Sequence, residues 1–283
     1  MLAPPPRALT RSRQKVVFVT AFVTGLVEIA GLLGTFPRFR VGRLLLSPSI
    51  VPALAVLAMV GRRAAGRARD IDAAAVYWVT ALAGICFSTI LLDREGHLLD
   101  SLAIVLAALD EEIVYRFAVP TVVAGILLVF HVPSRPARVV GLVVAGSWFV
   151  LLPGHRVQMH SAADILPFIA FATLAAIVVY RSGSILATTA THAVTNMLTI
   201  IAFGGAMSQA TRSVASAVLL LLLMSSYGFA RPRGTEAGPH EETVIDLRDG
   251  VTPTVQDAGG PPRPIVEPRH EPSDVADTRS DIG

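Results

Sequence analysis

The stretch Asp110-Glu111-Glu112-Ile113-Val114-Tyr115-Arg116 sets four ionisable side chains inside a long, largely apolar run that extends from 98 to 130. A charged side chain at the centre of a bilayer costs about 2.5 to 3.5 kcal/mol on insertion scales. A chain that keeps four of them together must use them. Two adjacent carboxylates beside an arginine favour chemistry on something that enters the membrane.

The composition of the whole chain predicts an integral membrane protein. Hydrophobic residues make up 53% and charged residues 16% of the 283 residues, and the mean hydropathy is +0.60. A soluble domain carries about 25% charged residues. The predicted fold class is all-α, a polytopic transmembrane helical bundle of about eight spans. We expect the lipid bilayer as a partner and no nucleic acid. The predicted spans are 16–36, 44–60, 73–92, 98–131, 139–154, 163–180, 184–203 and 213–230.

The fourth of these spans is too long for one straight helix across a bilayer, which needs only about 20 residues. Pro120 lacks an amide proton and is where a kink or a break is expected. A break there would give nine spans. Outside the membrane domain, 16–230, we predict a basic amino-terminal segment, 1–15, and a disordered tail, 231–283, which is acidic and rich in Pro and Gly.

The distribution of basic residues predicts which ends of the spans face the cytoplasm. With eight spans and the amino terminus inside, thirteen basic residues fall on inner segments and six on outer ones, so both termini are expected in the cytoplasm. The chain uses Arg rather than Lys by 23 to 1, which favours a GC-rich bacterial genome and therefore a bacterial plasma membrane. The inner set is Arg7, Arg11, Arg13, Lys15, Arg62, Arg63, Arg67, Arg69, Arg135, Arg138, Arg181, Arg231 and Arg233.

Helical spacing assigns different surroundings to the two glutamates. Side chains four residues apart share a helical face, so Glu112 is expected to lie over Arg116, while Glu111 is rotated by about 100° and lies over Tyr115. The arginine can neutralise Glu112. Glu111 is then the less compensated carboxylate and the better candidate for a general base.

A second group of polar residues lies in the seventh span, where His192 and Asn196 are again four residues apart. Imidazole and carboxamide donors on one face can hold an oxyanion or a water. His and Asn also link membrane helices by hydrogen bonds worth about 0.6 to 2 kcal/mol, and the pair alone does not decide between these readings. A third candidate is His155, which follows Pro153-Gly154 and competes with the pair His160 and Asp164.

Together these residues resemble the CAAX prenyl protease and bacteriocin-processing family, known as CPBP or ABI, of intramembrane proteases. The family pattern is Glu-Glu-x-x-x-Arg on one helix, Phe-x-x-x-His on a later one and His-x-x-x-Asn on a third. The first corresponds to Glu111, Glu112 and Arg116, and the last to His192 and Asn196. The resemblance covers about 98 to 200.

The middle motif departs from the family pattern. The residue four before His155 is Leu151 rather than Phe, and placing the motif on His160 would put Arg156 there. Phe117 also follows Arg116 where bacterial members usually have Gly. The expected depths in the membrane also differ. At 1.5 Å per residue along each helix, His155 lies about 25 Å from the cytoplasmic face, whereas Glu111 and His192 lie about 10 to 12 Å from it.

The resemblance implies an endopeptidase that acts on a membrane-embedded or lipid-anchored protein or peptide. Glu111, assisted by His155, would activate a water, His192 and Asn196 would stabilise the oxyanion, and Glu112 with Arg116 would hold the site. The family has been described both as metalloproteases and as metal-free glutamate proteases, so Glu111, His155 and His192 are also candidate zinc ligands. We favour no cofactor, because the chain lacks a His-Glu-x-x-His sequence.

Peptide hydrolysis in a bilayer needs water, so a polar cavity between the fourth, fifth and seventh spans is predicted. Glu28 and Asp100 are candidates to line it, although each could also be a lone carboxylate near a neighbouring helix. Two other functions stay open. One is a non-catalytic immunity or scaffold protein on the same fold, and the other is a proton- or ion-coupled transporter.

Overall fold

The computed structural model describes residues 11–93, 98–156 and 162–229, and these fold almost entirely into helices, which confirms the predicted helical bundle. The amino-terminal residues 1–10, His160 and the predicted tail 231–283 lie outside the described residues. The helices are α1 Arg11–Leu32, α2 Ile50–Val60, α3 Ile71–Asp93, α4 Leu98–Ile113, α5 Val119–Val129, α6 Ser134–Val150, α7 Pro153–Arg156, α8 Ala162–Ser182, α9 Ile185–Phe203 and α10 Gln209–Leu223.

Six helical segments within the described residues are long and apolar enough to cross a membrane. The helices α2 and α6 are shorter, with 11 and 17 residues, so the count of eight spans stays a prediction. At 1.5 Å per residue α2 is about 16 Å long, against a hydrocarbon core of about 30 Å. The six segments are Lys15–Leu32, Ile71–Asp93, Leu98–Val129, Ile165–Ser182, Ile185–Phe203 and Gln209–Gly228.

The fourth predicted span is one continuous helical segment. Between α4 and α5 the chain forms a π-helical turn at Val114–Ala118, and the backbone angles of Ala118 and Val119 remain helical. The segment therefore does not break at Pro120. Instead, the wider turn comes directly before the proline, whose missing N–H and ring disturb the hydrogen bonds of the preceding turn.

The second predicted span is wrong at its amino-terminal end. Residues 44–46 are a β-strand, paired antiparallel with Phe39–Val41 in a short hairpin that turns at Gly42. The carboxylate of Asp100 accepts hydrogen bonds from the backbone N–H and the Nε–H of Arg43, both at 2.7 Å. The described contacts of Asp100 thus fix the hairpin to the start of α4, rather than marking a cavity between the fourth, fifth and seventh spans.

The helix α9 forms the centre of the bundle and packs against α3, α4 and α10. It begins at Ser184, whose Oγ accepts a hydrogen bond from the Ala187 N–H and donates one to the Ala65 carbonyl. Further along, the Tyr77 hydroxyl donates to the Ala187 carbonyl and so ties α3 to α9. The segments predicted on the inner side also meet, since Arg67 N–H donates to Ser182 and Arg69 N–H to Ser226.

Close packing of α5 on α6 depends on the absence of a side chain at Gly141. A Cβ there would lie 2.6 Å from the Pro120 carbonyl oxygen, whereas a Cβ at Gly146 on the same helix would meet nothing within 4 Å.

We expect Gly141→Ala to destabilise the protein by about 1 to 3 kcal/mol, because backbone must move to admit the methyl group. The matched change Gly146→Ala should be neutral or stabilising by up to about 1 kcal/mol. Thermal unfolding of the two purified variants in the same detergent compares them. Equal melting temperatures would contradict this description of the α5–α6 contact.

Candidate functional site

A buried carboxylate, that of Glu112, joins the turn between α4 and α5 to the central helix α9. Its side chain is 0% exposed, and Oε1 lies 3.1 Å from His192 Nδ1. On its own helix, Oε2 lies 3.7 Å from Arg116 Nε. The i,i+4 pairing expected from the sequence is therefore present, and the histidine is a second partner from another helix. Since a carboxylate only accepts, the Nδ1–H of His192 donates to Glu112.

Glu111 approaches the same histidine from its other nitrogen. Its Oε2 lies 3.5 Å from His192 Nε2, and the side chain is 31% exposed, in contrast to Glu112. The sequence predicted that Glu111 would face away from Glu112. The two carboxylates do leave the helix in different directions, but they meet on opposite sides of one imidazole ring. Within the described residues neither Glu111 Oε2 nor Glu112 Oε2 accepts a hydrogen bond, although each lies close to a basic side chain.

Phe149, which the sequence analysis missed, is the aromatic centre of the site. Its ring centroid lies 5.6 Å from that of His192 and 4.6 Å from that of His155, and the Arg116 guanidinium carbon lies 4.8 Å from it. A cation over an aromatic face is attracted by the ring quadrupole. Phe171 covers another side of His192, with a centroid separation of 4.8 Å.

The position of His155 accounts for the departure of the middle motif. After Val150 the chain turns and forms the short helix α7, which brings His155 back so that its Nδ1–H donates to the Phe149 carbonyl at 2.7 Å. Because of this reversal, the depth of His155 in the membrane cannot be obtained by counting residues along a straight helix. Leu151 is 55% exposed, and Phe149 supplies the aromatic ring two residues earlier. In the neutral tautomer that makes this bond, Nε2 of His155 is the unprotonated nitrogen.

Asn196 follows His192 by about one turn of α9 and is partly buried. Within the described part of the chain it makes no hydrogen bond to Glu111, Glu112 or Arg116, so the structure places it beside the cluster rather than in it. The competing histidine, His160, lies outside the described residues, and the side chain of Asp164 is likewise not described.

A zinc site is the alternative that the family resemblance offers for these residues. A catalytic zinc takes three protein ligands and keeps one position open. Glu111 and His192 are close together, but no group of three or more His, Cys, Asp or Glu side chains in 11–93, 98–156 and 162–229 could hold a metal ion. The described donors, including His155, do not fit a three-ligand site.

A second polar cluster lies on another face of α4 and involves Asp110, for which the sequence suggested no role. The Ser49 hydroxyl lies 2.7 Å from Asp110 Oδ2 and 2.8 Å from Glu28 Oε2. The Tyr115 hydroxyl donates to Glu28 Oε1 at 3.0 Å. Ser49 has one hydroxyl proton and can therefore donate to only one of the two carboxyl groups at a time.

This cluster connects α1, the start of α2, the end of α4 and the π-helical turn that contains Tyr115. Glu28 and Asp110 are 7% and 4% exposed, and Ser47 donates a further hydrogen bond to Glu28 at 2.7 Å. Sequence reasoning identified Glu28 only as a lone carboxylate. Ser49 gives no sequence signal of its own, because its partners are 21 and 61 residues away.

The fold and the site together define an integral membrane protein with an ionisable centre buried between its helices. Residues 97–198 match the family model described as type II CAAX prenyl endopeptidase Rce1-like. This match confirms the resemblance to the CPBP family over the stretch that contains both outer motifs, and it supports a peptidase. No curated protein and no solved structure matches the chain.

We expect Ser49→Ala to destabilise the protein by about 1 to 3 kcal/mol, because it leaves two buried carboxyl groups without their bridging donor and acceptor. Ser147→Ala, on the exposed side of α6, is the matched control and should change stability by less than about 0.5 kcal/mol. Thermal unfolding of both variants in detergent measures the difference. A Ser49→Ala protein as stable as the control would show that the bridge contributes nothing.

Proposed function

We propose that this protein is an intramembrane endopeptidase that hydrolyses a peptide bond of a membrane-embedded or lipid-anchored protein or peptide. The observation that carries the proposal is the arrangement of Glu111, His192 and Glu112 across two helices, in a stretch similar to a protease family. Glu112 supports His192, and Glu111 keeps a carboxylate oxygen without a hydrogen bond within the described residues.

In the proposed reaction Glu111 takes a proton from water, whose oxygen attacks the peptide carbonyl carbon. The developing oxyanion accepts hydrogen bonds from His192 and Asn196. For His192 to donate from Nε2 while Nδ1–H binds Glu112, the ring must carry both protons. When the C–N bond breaks, Glu111 returns its proton to the leaving amine. No metal is used.

The other residues of the cluster position these groups. Arg116 balances the charge of Glu112 and lies over the Phe149 ring, and Phe149 and Phe171 restrict the rotation of His192. His155 fixes the Phe149 backbone from the far side, and its Nε2 is a candidate to assist the water. We further propose that both termini face the cytoplasm of a bacterial cell and that the bilayer presents the substrate.

The first test is cleavage of a membrane-anchored peptide library by the purified full chain. Glu111→Gln should lower turnover by a factor of about 10² to 10⁴, the usual contribution of a general base. Asp93→Asn, an exposed carboxylate at the end of α3, is the control and should leave turnover unchanged. Both variants should melt near the parent temperature. A folded Glu111→Gln protein that cleaves at the parent rate would overturn the assignment.

Metal dependence is tested in the same assay with a zinc chelator. Because no zinc ligand set of three is formed by the described donors, we expect turnover to persist after prolonged chelation and dialysis. A loss of activity that added Zn²⁺ restores would show that a further ligand completes a metal site and that the metal-free reaction is wrong.

A further inference from the structure

We propose that Glu28 on α1 and Tyr115 in the π-helical turn are positioning residues for the candidate site, because together they hold the ring of Phe149 against His192. The Tyr115 hydroxyl donates a hydrogen bond to Glu28 Oε1 at 3.0 Å. The effect on turnover rests on the proposed peptidase function, whereas the effect on the Phe149 ring does not. Glu28 precedes the stretch 97–198 that matches the family model, so the motifs of that stretch do not include it.

The orientation of Tyr115 depends on this one hydrogen bond. The residue is 1% exposed, and within the described residues its hydroxyl donates to Glu28 alone. A buried hydroxyl that loses its acceptor leaves an unsatisfied donor, which is unfavourable. The bond to Glu28 therefore favours one orientation of the Tyr115 side chain over its other rotamers.

The carboxyl group of Glu28 is held from a second side. Its Oε2 accepts a hydrogen bond from the Ser47 hydroxyl at 2.7 Å and lies 2.8 Å from the Ser49 hydroxyl. One oxygen thus faces the start of α2, and the other faces Tyr115. Because both oxygens have partners, Glu28 gives Tyr115 an acceptor of defined position.

The ring of Tyr115 packs directly on the aromatic centre of the site. Its centroid lies 5.8 Å from that of Phe149, with an angle of 65° between the ring planes. It makes a similar contact with Trp148, at 5.8 Å and 78°. Aromatic rings prefer such edge-to-face arrangements because the ring edge is positive and the face negative. A rotation of Tyr115 would therefore remove a preferred contact of Phe149.

The ring of Phe149 transmits this constraint to the polar groups of the site. It contacts both His192 and His155, with centroid separations of 5.6 and 4.6 Å. Close-packed interiors transmit the displacement of one ring to its neighbours. In the proposed reaction His192 must direct Nε2 at the oxyanion, and a small misplacement of a catalytic group slows the reaction. Loss of the bond between Glu28 and Tyr115 is therefore expected to lower kcat rather than to weaken substrate binding.

Turnover of the purified full chain tests the effect on catalysis. Tyr115→Phe removes only the hydroxyl, and Glu28→Leu removes its acceptor. Each should lower kcat about tenfold, the equivalent of one hydrogen bond, and leave KM unchanged. The double variant should also lose about tenfold, because both changes remove the same bond. Glu28→Gln keeps an oxygen acceptor for Tyr115 and should retain most of the parent kcat.

Tyr227→Phe is the matched control for a loss of stability without a loss of position. It also removes a buried tyrosine hydroxyl, one that accepts a hydrogen bond from the Trp78 indole at 2.7 Å. The control should lower the melting temperature and leave kcat unchanged. If Glu28→Leu does not fold, Tyr115→Phe, the milder change, tests the same bond. A Tyr115→Phe protein with the kcat of the Tyr227→Phe control would overturn the role in catalysis and leave the peptidase assignment intact.

A second measurement needs no peptidase activity. With para-fluorophenylalanine placed at position 149, fluorine NMR of the full chain in detergent reports the surroundings of that ring. Tyr115→Phe and Glu28→Leu should each shift or split the resonance, whereas Tyr227→Phe should leave it unchanged. A resonance that neither variant changes would overturn the proposal. The expected shifts in a protein that cleaves no peptide would support the positioning of Phe149 and contradict the proposed function instead.

Discussion

The carboxylate of Glu112 is the group on which the rest of the site depends. It is fully buried and lies against Arg116 on its own helix and His192 on α9. Removing one partner of a buried ion pair costs about 3 to 5 kcal/mol, because an uncompensated charge is left behind. The position of α9 relative to the α4–α5 turn is therefore constrained electrostatically as well as by packing. The aromatic rings around His192 then follow from where that histidine must lie.

The side chains of one turn of α4 point to several sides of the bundle, because consecutive residues of a helix differ in direction by about 100°. Asp110 faces Ser49 and Glu28. Glu111 faces Nε2 of His192, and Glu112 faces Nδ1 of the same ring. Three consecutive carboxyl groups thus face different atoms, although Glu111 and Glu112 share the imidazole ring of His192. The π-helical turn that follows changes the register of Tyr115 and Arg116, and such turns recur at functional sites.

Local patterns predicted the parts of this site that depend on one helix. The period of the α-helix predicted the pair Glu112 and Arg116. The long apolar segments, with charged residues inside them, predicted the membrane bundle. What could not be predicted depends on contacts between distant segments. Phe149 contacts His155 because the chain reverses after Val150, and Ser49, which follows the hairpin, contacts acids on α1 and α4. Neither reversal has a periodic signature.

The same distinction explains why the sequence pattern predicts a span that begins within the hairpin. The second strand, Leu44–Leu46, is apolar enough to extend the hydrophobic run of α2, and an apolar run of this length does not by itself distinguish a strand from a helix. The deciding interaction is again a distant carboxylate, since Asp100 accepts two hydrogen bonds from Arg43 at the turn. In this chain buried or half-buried acids therefore do more than neutralise charge. Asp100, Glu28, Asp110 and Glu112 each accept bonds from segments remote in sequence, and these bonds specify which segments meet in a bundle whose apolar surfaces would permit many arrangements.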